Sequence, residues 1–342
     1  MGFLLPWKRA DVAIDFGTAN LRVIRLHDGV VFDEPSVCCF THGGPTATLV
    51  AAGSEAQPML DRTPAHLRIR QPLRRGVLQD LDTAREMLRY ALARLPDGRR
   101  ARATRGLFGV PADATAAERS ALLTAAHDAG FRSAQLVAEP FAAAIGADLP
   151  VHEPVGTMIV ECGAGTTEVA VLSLGGIVLT RSVRRGGAAL DRAIADHLHF
   201  RHKFLVGDAT AETLKRAYVE ARLDPDTPRD ATLQIKGRSL GSGMPTAIAI
   251  ALAELDQVVE RHVAQIIDVV RNVLLATPPE LSYDIHDRGI VLTGGSALTP
   301  LLQSMIASAT GLSVILAPNP AHCVANGLHR MLERRAGEGL AD

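Results

Sequence analysis

Two stretches of this chain carry one local device, and that repetition constrains the fold more than any other feature. At Asp15-Phe16-Gly17-Thr18-Ala19-Asn20 an apolar strand (Val12 to Ile14) delivers an acidic residue to a small-residue turn, and alternating Val23 and Ile24 lead to a second turn at Asp28-Gly29. From Met158 the order recurs: an apolar strand, Glu161, then Gly163, Ala164 and Gly165 with two threonines, alternating Val169 and Val171, and a turn at Gly175-Gly176. Fourteen residues separate the acid from the turn glycine in each copy, 15 to 29 and 161 to 175. Small residues let backbone N–H groups close around an anion. A carboxylate just ahead of such a turn stands where a phosphate-bound cation needs an acidic partner. Two copies far apart predict two similar half-molecules with a nucleotide held between them.

A third glycine turn, G-I-V-L-T-G-G-S-A-L from Gly289 to Leu298, joins an apolar strand to a helix and is placed to seat the base and sugar of the same nucleotide. With 342 residues, 47% of them hydrophobic, the chain is long enough for two domains with a sizeable core. A formal net charge of −1 makes no electrostatic case for nucleic acid. Cys38, Cys39, Cys162 and Cys323 show no C-x-x-C spacing, so neither a disulfide framework nor a zinc site is implied, and a reducing cytoplasm fits. No apolar run approaches the roughly 20 residues of a spanning helix.

These motifs resemble those of the actin-like ATPases, and within them the MreB family of bacterial actin homologues. The resemblance runs nearly end to end: D-F-G-T-A-N at Asp15, D-E-P-S-V at Asp33, R-T-P at Arg62, G-V-L-Q-D-L-D at Gly76, A-E-P-F-A-A-A-I-G at Ala138, G-T-T-E-V-A-V at Gly165, T-P-P-E-L at Thr277 and G-I-V-L-T-G-G at Gly289. It implies an α/β actin-like (ribonuclease H-like) fold, two lobes with a nucleotide cleft between them. The expected segments are an anchor at 1–9, lobes at 10–150 and 151–335 with a small subdomain inserted at about 188–255, and a tail at 336–342. The implied ligands are ATP and Mg2+, with turnover weak and coupled to polymerisation. Gly17, Thr18, Ala19, Asn20, Gly163, Ala164, Gly165 and Thr166 are expected at the phosphates. Gly186, Gly187, Lys215, Gly294, Gly295 and Ser296 are expected elsewhere on the nucleotide, and Asp15 and Glu161 beside the metal. Glu139 matches the family glutamate that orients the attacking water; read from the residues alone, it is also a favourable acidic helix start. Lys215 matches a residue near sugar and base, its other reading being a solvated lysine.

Implied partners are further copies of the chain in filaments, the inner membrane surface, and the cell-wall elongation proteins, in a cell-shape role at the inner face of the membrane. Phe3, Leu4, Leu5 and Trp7, followed by Lys8 and Arg9, have the character of an interfacial anchor, or of a terminus packed on its own domain. Arg99, Arg100, Arg102 and Arg105 form a cluster read as a solvated loop or as support for that anchor. Helical spacing predicts a helix from Thr83 to Leu95 stopped by Pro96-Asp97-Gly98, and Thr115-x-x-Glu118 predicts a capping box opening a helix to about Ala129. A hairpin is expected between Thr232 and Ile250, a long helix from Ala253 to Leu275, and helices from Thr299 to Ala309 and Ala321 to about Arg335. Competing readings are a small-molecule kinase or a chaperone-type ATPase on the same core. A serine hydrolase through G-R-S-L-G at Ser239, with Asp284 or Asp287 and His322, is a further one.

Four departures from the family pattern bear on activity. Glu161 replaces an aspartate, and Ala164 replaces a glycine, which is strained if its φ is positive. Ala188 and Ala217 replace an aspartate and a glutamate, the latter expected near the ribose. Weakened binding and slowed hydrolysis are the expected result.

Overall fold

The computed structural model describes residues 10–43, 47–95 and 105–338. The proposed anchor at 1–9, the helix stop at Pro96-Asp97-Gly98, and Arg99, Arg100 and Arg102 lie outside the described residues. Two five-stranded sheets organise the rest, and they share one topology. In the first, Val12–Phe16 is central, hairpinned to Asn20–Arg25 and then Gly29–Pro35 on one side. Parallel strands Arg105–Val110 and Ser133–Ala138 continue it on the other. In the second, Thr157–Cys162 is central, with Thr167–Ser173 and Gly176–Val183 antiparallel on one side and Ile290–Thr293 and Val314–Leu316 parallel on the other. The repeat in the sequence is thus a repeat of strand order.

Both central strands are buried along their whole length, as continuous apolar runs in a covered sheet must be. Strand alternation sends Val12, Ile14 and Phe16 to a core beneath the helices Leu81–Ala93 and Ala116–Ala129. Likewise Met158, Val160 and Cys162 join the core of the long helix Leu252–Ala276. The opposite faces, through Ala13 and Ile159, meet a shared middle layer built on the helices Glu139–Gly146 and Cys323–Glu338. Asp15 and Glu161 stand two residues beyond Ala13 and Ile159, so both acids project toward the space between the sheets.

The two middle helices approach so closely that only glycine fits at their crossing. A Cβ on Gly327 would lie 1.7 Å from the Ala142 carbonyl oxygen, and one on Gly146 1.9 Å from that of Cys323. This contact locks the helix Glu139–Gly146, which carries Glu139 at its start, in the layer between both sheets.

Local signals act as their chemistry requires. Thr115 Oγ1 accepts from the Glu118 N–H at 3.2 Å while Glu118 Oε2 accepts from the Thr115 N–H at 2.7 Å, closing the capping box. The first helix starts at Leu81, two residues earlier than the periodicity predicts, because Asp80 caps it by accepting from the Thr83 N–H at 3.1 Å. Thr277-Pro278-Pro279 ends the long helix as expected, but Pro279 also opens a further helix, Pro279–Arg288, that the sequence reading lacked; proline's fixed φ suits a first helical turn. The helix predicted from Thr299 begins at Leu302, after a short 3-10 turn, Gly295–Leu298. Ser239 ends the strand Thr232–Ser239, paired antiparallel with Pro245–Ala251, so it sits on a hairpin and not on a strand-to-helix elbow. Its Oγ accepts from the Ser242 N–H, Asp284 accepts from the Gly156 N–H, Asp287 meets His286, and His322 meets Asn319. No triad is assembled from them. All four cysteines are buried and unpaired.

Candidate nucleotide site

The ends of both central strands open on one cleft of about 600 Å³. Asp15, Gly17, Thr18, Ala19 and Asn20 line one wall; Glu161, Gly163, Ala164, Gly165 and Thr166 line the other. Glu139, Gly187, Lys215, Gly294, Gly295 and Ser296 also line it. Of the residues expected on the nucleotide or metal, Gly186 is absent from the lining and stands at the N-cap of the helix Gly187–His202 that starts at the wall; Ala188 and Ala217, the positions that depart from the family pattern, are absent from it too.

The two turns are built alike down to single bonds. The Gly17 N–H donates to the Asn20 carbonyl at 2.9 Å, and the Gly163 N–H to that of Thr166 at 2.9 Å. A serine hydroxyl then holds the glycine carbonyl in each: Ser36 donates to Gly17 O at 2.8 Å, Ser296 to Gly163 O at 2.9 Å. These bonds fix the turn backbone before any ligand arrives, which reduces the ordering cost of binding. The turns also meet across the cleft floor, where the Gly76 N–H donates to Thr18 Oγ1 at 3.0 Å and a Cβ on Gly165 would lie 2.3 Å from that same oxygen. Ala164 stays out of the left-handed region, so the strain feared from replacing a glycine there does not arise.

Acidic groups dominate the floor. Asp15 is answered by Arg22 at 3.0 Å, and Arg22 also reaches Asp33 at 3.0 Å. Burial still raises the Asp15 carboxyl above its ordinary range, against the pull of Arg22. Glu161 faces Glu168 directly across the antiparallel pair. Oxygens of Glu139, Glu161 and Glu168 all lie within 4.8 Å of one another. Burial first, then repulsion from Glu168 and the other nearby carboxylates, pushes Glu139 and Glu161 well above the usual carboxylate range; burial, with repulsion from Asp113, raises Glu168 to about 8 against the opposing pull of the Ala112 N–H, Arg184 and Arg119. Glu168 is fully buried; its Oε1 accepts from the Ala112 N–H at 2.8 Å, and its Oε2 has no partner. An orphaned buried carboxylate oxygen among hard oxygen donors is the environment that a magnesium-like cation fits.

Lys215 is not simply solvated. Its ammonium lies 2.9 Å from the Asp191 carboxylate and 3.3 Å from the Gly187 carbonyl, which ties the helix Asp208–Leu223 to the cleft wall. Sequence reading missed Glu168, Arg22 and Asp191. Glu168 had a signal, a charged residue inside a strand that is otherwise apolar or small; Arg22 and Asp191 had none, because each acquires its role from a partner placed by the fold.

The carboxylate cluster makes stability pH-dependent when no cation is present. Raised folded-state values mean that the unfolded chain ionises first as pH rises, so the fold loses stability from about pH 4.5 up through about 8. Glu168→Gln keeps the acceptor for Ala112 and removes one charge. Urea unfolding of this variant is expected to flatten that decline, gaining a few kcal/mol on the parent at pH 9. Parallel pH profiles for the two proteins would show that Glu168 does not carry the penalty.

Two sheets of matched strand order around a cleft walled by paired glycine turns define the actin-like nucleotide-binding class. A family model described as MreB/Mbl protein matches residues 9–338. The chain is 38% identical over 326 residues to the cell shape-determining protein MreB of Escherichia coli (strain K12), covering 94% of this chain and 93% of that protein. It is 36% identical over 323 residues to the cell shape-determining protein Mbl of Bacillus subtilis (strain 168), covering 94% and 96%. Among solved structures, MreB5 of Spiroplasma citri bound to AMPPNP superimposes with a TM-score of 0.88 at 29% identity, covering 98% of this chain and 99% of that one. The MamK double helical filament shares the fold at a TM-score of 0.76 and 23% identity, covering 95% and 99%. This chain belongs to the MreB/Mbl family of actin-like proteins.

Proposed function

We propose that this chain binds ATP with a divalent cation in the cleft, assembles with its own copies into filaments, and serves cell shape as a slow ATPase. The matched bonding of the two turns carries this reading: two preset anion-binding backbones face one another across a space of nucleotide size. The solved Spiroplasma citri relative, bound to AMPPNP in one structure and ADP in another, supports ATP as the ligand. Self-assembly follows from family membership.

In this reading Gly17 to Asn20 and Gly163 to Thr166 close on the phosphates. Gly187, Lys215 and Gly294 to Ser296 flank sugar and base, with Gly186 setting the start of the helix behind them. Asp15, Glu161 and Glu168 face the cation, which when bound neutralises phosphate charge. Glu139 holds the attacking water through its carboxyl. Arg22 keeps Asp15 oriented, and the Lys215–Asp191 pair keeps the cleft wall in register.

The test is calorimetry with Mg-ATP, followed by electron microscopy with and without it. ATP-dependent filaments are expected; a protein that neither binds ATP nor assembles would end this reading.

Membrane attachment through Phe3, Leu4, Leu5 and Trp7, with the cell-wall elongation proteins as neighbours, belongs to the same proposal. Among the described residues no helix is long and apolar enough to cross a membrane, so attachment would be peripheral, at the inner face. Deleting residues 2–9 is expected to release the protein from anionic liposomes, and equal co-sedimentation of the truncated chain would remove the anchor.

A further inference from the structure

Away from the cleft, three metal-ligating side chains converge where the chain enters and leaves its inserted unit. His197 and His202 lie in the last turns of the helix Gly187–His202, and Glu254 in the first turn of Leu252–Ala276. Between them the chain runs through the helix Asp208–Leu223 and the three-stranded sheet of Phe204–Leu205, Thr232–Ser239 and Pro245–Ala251. Residues five apart on a helix do not share a face as those three or four apart do. Both imidazoles nonetheless bring Nε2 to one oxygen, Glu254 Oε1, at 2.6 and 2.5 Å. Their ring centroids are 5.9 Å apart. The side chains are 14, 27 and 25% exposed, so the group is mostly buried with a side open to solvent.

We propose that His197, His202 and Glu254 form a three-ligand site for a divalent transition metal of the zinc class, which ties the root of the inserted unit to the second sheet's helices. The donor set is two imidazole nitrogens and one carboxylate, with a fourth position left to water. Imidazole selects zinc-class ions over magnesium and calcium. The three ligand atoms already lie within 4.8 Å of one another. Bonds of about 2.0–2.2 Å in tetrahedral array hold such atoms a little over 3 Å apart, so each His–Glu pair opens by less than about 1 Å to admit the ion. Side-chain rotation supplies that movement without moving either helix. On binding, each ring takes the Nδ1–H tautomer and frees Nε2 for the ion, a charged ring releasing its Nε2 proton to solvent, and one ion then links segments separated by the whole insertion. The unit so pinned carries Lys215 to the cleft wall, but the site does not rest on the nucleotide reading and is tested without nucleotide.

The experiment uses the full chain stripped with a chelator. Zinc titration by calorimetry is expected to show one tight site per chain and a raised thermal midpoint. Because the chain has 12 histidines, the same titration on His202→Asn and on Glu254→Gln separates this site from adventitious ones. Each variant is expected to lose zinc affinity at least about tenfold and to lose the thermal shift. Should a variant fold poorly, nitrogen NMR of histidine-labelled parent protein reads the site directly: zinc must shift the Nε2 resonances of His197 and His202 together, at one equivalent. Zinc affinity equal in parent and variants, or ring nitrogens that do not move, would overturn the site and leave a hydrogen-bonded clasp.

Discussion

Replacing Glu139 by alanine is expected to lower phosphate release at saturating Mg-ATP by roughly 10- to 1000-fold while ATP affinity changes only a few-fold, the range seen for single positioning or electrostatic groups. The expectation rests on where Glu139 sits. It begins the helix Glu139–Gly146, whose far end is locked to the helix Cys323–Glu338 by the Gly146 and Gly327 crossing. Its carboxyl lines the cleft but belongs to neither glycine turn. Losing it therefore removes a water-placing group and leaves the anion clasps intact. Burial, then Glu168 and Glu161, raise its carboxyl well above the usual range in the cation-free cleft, and in either protonation state it keeps an oxygen that can orient water by hydrogen bonding. Glu139→Gln keeps that hydrogen-bonding shape and is expected to retain more activity than Glu139→Ala. Unchanged release in the alanine variant, with the parent active, would assign the water to another residue.

Gly165→Ala is expected to weaken Mg-ATP binding by about 100-fold or more, and Gly17→Ala by less than about tenfold. From sequence the two glycines are equivalent members of a repeat; the fold separates them. A Cβ on Gly165 would fall 2.3 Å from Thr18 Oγ1, 2.4 Å from the Gly76 nitrogen and 2.9 Å from the Arg75 carbonyl carbon. The Arg75-Gly76 backbone cannot yield there without moving away from the turn and from Thr18, to which the Gly76 N–H donates. At Gly17 the nearest atom is the Asn20 carbonyl oxygen at 3.1 Å, which a small shift relieves. Calorimetry on both variants, with circular dichroism to confirm folding, decides the matter. Equal losses would mean that contact between the turns does not matter for binding.

Much of this was legible in the chain itself. Local chemistry is enough to mark the ends of many elements: Thr115 and Glu118 close a cap within four residues, and Pro278-Pro279 cannot continue a helix. The repeated acid-turn-strand pattern announced two similar halves, because a small-residue turn after a buried strand can be read without knowing what it faces; their shared strand order came from the fold. The family motifs added the roster of cleft residues, and the structure gathers nearly all of them on one cleft.

What the tertiary structure alone decided are relations between distant residues. Glu168 gains its meaning from Glu139 and Glu161, brought within 4.8 Å by a strand register and a helix from elsewhere. Arg22 answers Asp15, and Lys215 finds Asp191. Gly327 matters because a helix nearly 200 residues earlier passes over it, leaving 1.7 Å for a Cβ. Ala164 proved free of strain because φ belongs to the folded turn and not to the residue type. Sequence patterns carry what a residue can do with its near neighbours; burial, charge proximity and close approach are set only when the two halves close on one another.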